Sequence, residues 1–354
     1  MYRAKDGAVT GTGGQRPRAT IKDVAKAAEV SPMTVSNVVN GRMQFVSAAT
    51  KKRVEREIER LGYRRSSNAR NLRVSEQRSI GMVIVDESPA FLADFFTCQV
   101  VAGLANVLNH EDYTLTIQGM PGTALAQSMI MRNFEVAGFC AMISGPLEER
   151  LAVIDRLAEL DQPVVVFQQE LASPGPNVCT VRQDDRAGGR LIGDHLQARR
   201  VTDLLLVVPR QRWPAVENRI AGVRDSVAAA GGTATVTVLE AASESFADVQ
   251  AAVAAYLDDH PLPGAIVGAN DPVATAAMLL LTDRGVRVPE DVRVVGFNGF
   301  EAHRYARPHM TTVLSPAYAI GERAGLAMLA RLKSGSFERQ DHVLPVVFDA
   351  GFTT

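Results

Sequence analysis

An all-α head of helix-turn-helix type, followed by a hinge and an α/β body of two Rossmann-like halves, is the fold class this sequence predicts. Three observations predict it. Apolar residues recur at helical spacing from Ile21 to Leu61, with a hydroxyl residue in front of each segment. From Ser79 onward, short all-apolar runs alternate with amphipathic stretches, the pattern of a parallel sheet covered by helices. Charge changes sign at the same place. Residues 1–78 hold 17 Lys and Arg against 7 Asp and Glu, whereas residues 79–354 hold 21 against 32. A strongly basic head on an acidic body is the electrostatic footprint of nucleic-acid binding joined to a soluble regulatory domain.

Taken in order, residues 1–18 are Gly-rich and polar, carry Arg3, Lys5, Arg16 and Arg18, and lack apolar periodicity, so they read as a disordered basic tail. Residues 19–63 form the head. Thr20 stands before Ile21, Val24, Ala25 and Ala28, with Asp23 three residues on: an N-cap and its capping-box partner. Ala28-Glu29-Val30 turns the chain. Ser31 caps a second helix and Pro32 takes its first position, where a missing N–H costs nothing. Val35, Val38 and Val39 share the face that packs on the first helix. Pro32, Met33, Ser36, Asn37 and Asn40 are left on the other face, which suits a major groove. Gly41 ends that helix, and Ser47 opens a third with an apolar stripe of Val54, Ile58 and Leu61, closed at Gly62. Residues 64–78 form the hinge. There Ser66 or Ser67 caps one or two turns bearing Ala69, Leu72 and Arg73, too short to be a stable helix alone.

Residues 79–354 form the body. Strands are expected at 80–85, 114–118, 138–144 and 164–167, then, after a restart past Val181, at 204–208, 235–238, 265–268 and 292–297. Helices are expected between them, at 100–108, 126–134, 147–160, 186–196, 216–230, 246–257 and 273–284, with a last one at 320–332. Two successive α/β units of similar size imply a cleft between the carboxyl ends of their strands, where ligands bind. No apolar run is long enough to span a bilayer, and the first residues lack the apolar core of a signal peptide. Cys98, Cys140 and Cys179 are widely spaced and fit buried free thiols in a reducing compartment, so the expected location is the cytoplasm. No Gly-rich phosphate turn follows the strand 80–85. No nucleophile elbow or metal-ligand cluster appears either, so catalytic residues, metal and cofactor are all expected to be absent.

The stretches IKDVAKAAEVSPMTVSNVVNG and KKRVEREIERLGY resemble the DNA-binding domain of the LacI/GalR family of bacterial transcription regulators. The resemblance continues through IGMVIVD (80–86), VRQDDRAG (181–188), NRIAGV (218–223), AIVGANDPVA (265–274), VPEDVRVVGFNGF (288–300) and PHMTTVLSP (308–316), and so covers nearly the whole chain. It implies a periplasmic-binding-protein-like effector and dimerisation domain, crossed by the chain near 180, 305 and 337. It also implies a homodimer on palindromic double-stranded operator DNA, with a tetramer left open. Pro32, Met33 and Asn37 fall where family members read base edges, and Ser31, Thr34, Ser36 and Asn40 where they hold phosphates. Ala69 and Leu72 match a hinge that pairs in the minor groove, with Leu72 as the wedge. Arg65-Ser66 stands where the family has Pro-Asn, which leaves the entry to the hinge helix undefined.

The same resemblance assigns Phe95 or Phe96, Arg219, Asn270 with Asp271, and Asn298 to an effector pocket, whose ligand would be a sugar, sugar acid or sugar phosphate. Trp213 either lines that pocket or anchors the loop before Arg219. Two departures stand out. The family's GFDD turn reads Gly296-Phe297-Asn298-Gly299, and the Asp after the strand 164–167 is replaced by Gln168-Gln169. With Arg219 kept and acids lost, the expected effector is anionic. The rival reading is a free-standing sugar-binding protein or cleft enzyme with an incidental basic N-terminus.

Overall fold

The computed structural model describes residues 20–39, 46–61, 78–86, 92–128, 136–211, 213–300, 305 and 307–354. The chain divides into two compact units, 1–76 and 77–354, each described by itself.

The described part of the first unit is three helices: α1 (Ile21–Ala27), α2 (Pro32–Val39) and α3 (Ala48–Leu61). Thr20 makes the full capping box. Its Oγ1 accepts from the Asp23 N–H, while an Asp23 carboxylate oxygen accepts from the Thr20 N–H at 2.8 Å. Ser31 and Ser47 cap the next two helices through Thr34 N–H (3.1 Å) and Thr50 N–H (3.2 Å). Val24, Val35 and Val54, all fully buried, bring one residue from each helix into a small core with Ala25, Ala28 and Val38. The expected ends of α2 and α3, Gly41 and Gly62, lie outside the described residues, as do residues 1–18 and residues 64–77 of the hinge.

The second unit is two α/β lobes. In the first lobe a parallel sheet runs in the order β11-β5-β4-β3-β1-β2. It comprises β1 (Ser79–Val85), β2 (Thr114–Met120), β3 (Gly138–Ile143), β4 (Val164–Phe167), β5 (Val178–Gln183) and β11 (Asp341–Leu344). In the second lobe β6 (Asp203–Pro209), β7 (Thr235–Ala241), β8 (Ala265–Gly268) and β9 (Arg293–Val295) form a parallel sheet ordered β7-β6-β8-β9. An antiparallel ribbon of β10 (Thr312–Leu314) and β12 (Val347–Asp349) lies alongside, joined through bridges of Thr311 to Val295 and Leu314 to Asn298. Strands buried on both faces explain the unbroken apolar runs of β1, β4 and β6. Helices α4 (Phe95–His110), α5 (Leu147–Ala158) and α10 (Ala317–Ser334) cover the first sheet. The second is covered by α6 (Asp185–Ala198), α7 (Pro214–Ala229), α8 (Phe246–Asp259) and α9 (Asp271–Asp283).

Each lobe contains one helix pair joined through glycines. A Cβ on Gly103 of α4 would overlap the Tyr318 carbonyl of α10, and one on Gly321 of α10 would overlap the Val100 carbonyl of α4. In the second lobe Gly189 of α6 abuts the Arg219 carbonyl of α7, and Gly222 of α7 abuts the Arg186 carbonyl of α6. Only a residue without a side chain lets two helix backbones approach so closely.

The passages between lobes lie C-terminal of those expected. The chain leaves the first lobe between β5 and α6, returns between β10 and α10, and leaves again between β11 and β12. The sequence placed these passages near 180, 305 and 337. In each case a strand prolongs the lobe before the chain departs; β10 and β11, of three and four residues, carry too little periodicity to announce themselves, whereas β5 has six. A 3₁₀ turn occupies Gly122–Gln127, and most of the helix expected over 126–134 falls outside the described residues. Cys140 and Cys179 are buried as expected. Cys98 is exposed, and its thiol donates to the Leu92 carbonyl.

Candidate functional site

In the head, the α2 caps fix which residues face outward. The Ser31 Oγ is held by the Thr34 N–H and lies 2.9 Å from the Thr34 hydroxyl, so both side chains stand at the helix entrance. Burial of Val35 and Val38 turns Pro32 and Met33 to solvent; Met33 is 59% exposed. Ser36 and Asn37 are half-buried on the flank of the helix. Asn40, Ala69 and Leu72 lie outside the described residues.

In the body, the loops at the carboxyl ends of both sheets hold polar side chains. Arg219, on α7, is the most heavily bonded of them. Its Nε donates to Asp185 Oδ1 at 2.8 Å, Nη1 to the Ala269 carbonyl at 2.5 Å and Nη2 to Asn298 Oδ1 at 3.4 Å. Its guanidinium also stacks 3.7 Å from the centroid of the buried Phe297 ring. Asp185, at the start of α6 and 4% exposed, accepts in addition from the amides of Gln183 (2.8 Å) and Gln168 (3.1 Å). Burial pushes the Asp185 carboxyl up; Arg219, Gln183 and Gln168 pull it back. Gln168 adopts a left-handed φ of 56° after β4, and its Oε1 accepts from the Gln183 N–H.

The other residues expected at the site fall into different roles. Asn298 sits at a left-handed φ of 105°, held by the Val313 carbonyl and the Ser315 N–H, and this aims its side chain at Arg219. Asn270 caps α9 with its Oδ1 and donates through Nδ2 to Glu244 at 2.9 Å. Asp271 is committed to its own lobe: one oxygen takes the Gly299 N–H at 2.7 Å and the other the Thr312 hydroxyl at 2.6 Å. Trp213 is the N-cap of α7 and packs half-buried on the second-lobe core, which favours the loop-anchor alternative. Phe95 opens α4 and is 56% exposed, whereas Phe96 packs against the first-lobe core.

Three residues that sequence reasoning missed complete the arrangement. Asp185 is the first. Glu244, after β7, is the second; burial, with Asp94 and Asp86 of the first lobe, pushes its carboxyl up to about 7, against the pull of Arg219 and Asn270. Arg150 of α5 is the third. It is 4% exposed, and donates from Nε to Gln169 Oε1 (3.2 Å) and from Nη1 to the Gly145 carbonyl (2.5 Å). A signal for Arg150 existed: it stands three, four and seven residues before Val153, Ile154 and Leu157, on the buried face of α5. Among the described residues no group of three or more His, Cys, Asp or Glu could hold a metal, and no helix is long and apolar enough to cross a membrane.

A capped three-helix head and a two-lobed body with polar side chains at facing strand ends define a class: DNA-binding regulators whose body is a ligand-binding fold. The comparisons give the family. Residues 20–66 match the family described as "Bacterial regulatory proteins, lacI family", and residues 193–351 match "Periplasmic binding protein-like domain". The chain is 30% identical over 325 residues to the HTH-type transcriptional repressor PurR of Aliivibrio salmonicida, covering 91% of this chain and 95% of that one. It is likewise 30% identical to PurR of Vibrio cholerae strain M66-2, over 91% of this chain and 94% of the relative. Among solved structures it resembles the transcriptional regulator CelR in complex with cellobiose, with 25% identity, a TM-score of 0.68, and coverage of 95% of this chain and 100% of that one. It shares its fold with the Lac repressor dimer bound to operator and the anti-inducer ONPF, at 24% identity, TM-score 0.80, and coverage of 96% and 99%. The chain belongs to the LacI family of bacterial transcription regulators, and is a ligand-responsive DNA-binding regulator.

Proposed function

We propose that the chain is a repressor that binds a palindromic operator as a homodimer and is switched by a small polar effector held between the two lobes. The observation that carries the DNA half is α2, whose buried valines leave Pro32 and Met33 outward at a capped helix entrance. Pro32 and Met33 offer apolar contacts, for example to thymine methyls, and Asn37 hydrogen bonds to an adenine edge. Ser31, Thr34, Ser36 and Asn40 fix register on phosphates, and Ala69 and Leu72 enter the minor groove. The effector half rests on Arg219, Asn298, Asn270 and Glu244, gathered at the strand ends of the second lobe. Such a protein acts in the cytoplasm on carbohydrate or sugar-acid genes, as a regulator rather than an enzyme.

Selection of operator sequences from random DNA by the full chain tests this reading. Removing residues 1–78 is expected to abolish DNA binding and retain ligand binding; unchanged function without the head would support the free-standing binding protein. Asn37→Ala is expected to flatten base preference at one symmetric operator position by about 1–3 kcal/mol. Uniform weakening across all operator variants would remove Asn37 from base reading.

A further inference from the structure

The anionic effector was expected from Arg219, yet that guanidinium already has a carboxylate partner. Asp185 neutralises it, and Ala269 and Asn298 each take one further N–H. A different arginine has no carboxylate partner among the described residues. Arg150 is almost wholly buried at the carboxyl end of the first sheet, between Gly145 after β3 and Gln169 after β4. Both of its partners are uncharged, and among the described residues no carboxylate lies within ion-pair distance of it. Its Nη2 donates to nothing among the described residues. Taking a cation out of water without a counter-charge is costly, so a buried arginine in a natural protein is ordinarily paired. Gln169 is itself held, its amide donating to the Ile143 carbonyl at 3.2 Å, so the guanidinium plane is fixed rather than swinging.

The surroundings say which side is open. Burial pulls the Arg150 guanidinium down and is opposed by the charge of Glu217, an exposed residue of α7 in the other lobe. Gly145 follows β3 and Gln169 follows β4, so Arg150 stands at the carboxyl end of the first sheet, where folds of this kind bind ligands. Acceptors stand at the same strand ends: Asp86 after β1, whose carboxylate takes the Ser144 hydroxyl at 2.6 Å, Asp94 at the start of α4, and, in the second lobe, Glu244 after β7. Arg150 offers a cation with no ion pair among the described residues, and the carboxylates offer acceptors for hydroxyls.

We propose that Arg150 is the anion-recognition residue of this cleft, and that its ligand is a polyhydroxylated anion, a sugar carboxylate or sugar phosphate. This rests on the reading of the cleft as the effector site. The ligand's anionic group takes the free Nη2 of Arg150 and gives it a close ion-pair partner, while its hydroxyls donate to Asp86 and Asp94 of the first lobe and Glu244 of the second.

Thermal shift of the full-length protein is the test, in a buffer free of phosphate and carboxylate, with D-glucose, D-glucitol, D-gluconate, D-glucose 6-phosphate and inorganic phosphate as probes. The anions are expected to raise the melting temperature of the wild type above the shift from D-glucose and D-glucitol; gluconate against glucose 6-phosphate separates carboxylate from phosphate. Arg150→Gln is expected to weaken the anion response about tenfold or more, the scale of a lost charge-assisted hydrogen bond. Gln169→Glu, which gives Arg150 a partner without removing it, is expected to abolish the response as well, and covers the case in which Arg150→Gln does not fold. Without any ligand, both variants are expected to melt no lower than the wild type, whereas a merely structural arginine would destabilise when replaced. Equal anion shifts in wild type and both variants, or no anion shift in the wild type, would overturn the proposal. Operator binding measured on the same samples separates the two readings. Retained operator binding with an indifferent Arg150 defeats only this inference, and absent operator binding defeats the function proposed above.

Discussion

The two lobes each hold an arginine largely out of water at their strand ends, and the two are treated in opposite ways. Arg219 in the second lobe has a carboxylate, a carbonyl, an amide oxygen and an aromatic ring around it. Arg150 in the first has an amide and a carbonyl, both neutral. A buried ion pair contributes little net stability, because desolvation offsets its attraction; what it does is hold geometry. Arg219 accordingly ties α6, α7 and the turns after β8 and β9 into one wall of the site, and presents a charge that is already paired. Arg150 has no ion pair among the described residues, and only the more distant charge of Glu217 opposes its burial. The difference teaches that a family position occupied by the expected residue need not carry the expected role, since the residues around it decide what its charge is free to do.

The comparison can be broken most forcefully at Asp185. Asp185→Ala leaves Arg219 as unpaired as Arg150, and about 3–5 kcal/mol of stability should be lost, read by denaturant unfolding. A loss under about 1 kcal/mol would mean that Ala269, Asn298 and Phe297 suffice to hold Arg219, and the contrast with Arg150 would collapse. Glu244 tests the acid side of the cleft by pH. Its carboxyl is raised from the ordinary 4.5 to about 7, so the folded protein keeps a proton that the unfolded chain has already released. The stability contributed by that proton is complete below pH 4.5 and is lost as pH rises through 7. Glu244→Gln should therefore melt higher than wild type above pH 7, by about 1–3 kcal/mol, and match it near pH 4.5. Parallel pH profiles for the two proteins would show that Glu244 is not held against Asp94 and Asp86. The smallest effect is expected at Gln169. In the absence of ligand Gln169→Glu should stabilise by about 1 kcal/mol or less, because the new pair is short but still desolvated. A clear loss in unfolding experiments would show that the Arg150 environment is already satisfied.

Much of this architecture was legible in the sequence, and the reason is that its signals are local. The Thr20 to Asp23 capping box and the Ser31-Pro32 helix start each lie within a few residues, as do the apolar runs of β1, β4 and β6, so that spacing alone specifies them. The site was legible only by position. Arg219, Asn298 and Asn270 were named, and they do gather at strand ends. Their partners were not legible. Asp185 meets Arg219 across 34 residues, and Glu244 meets Asn270 across 26. Such pairings depend on strand order and on the twist of loops, which an alternation of strand and helix does not encode. The anionic preference was reasoned from an acid missing in the sequence near Arg219, when an acid from α6 had taken its place in space. The short strands β10, β11 and β12 went unseen because they exist only through pairing with strands far along the chain.

The glycine contacts inside each lobe bear on how a ligand could be felt at a distance. Where Gly103 and Gly321 seat α4 on α10, and Gly189 and Gly222 seat α6 on α7, backbone rests on backbone with no side chain between to deform. A joint of that kind has no cushion. Each of these helix pairs has little room to shift against itself, so a ligand that drew the two lobes together would have to bend the chain at the three passages between them.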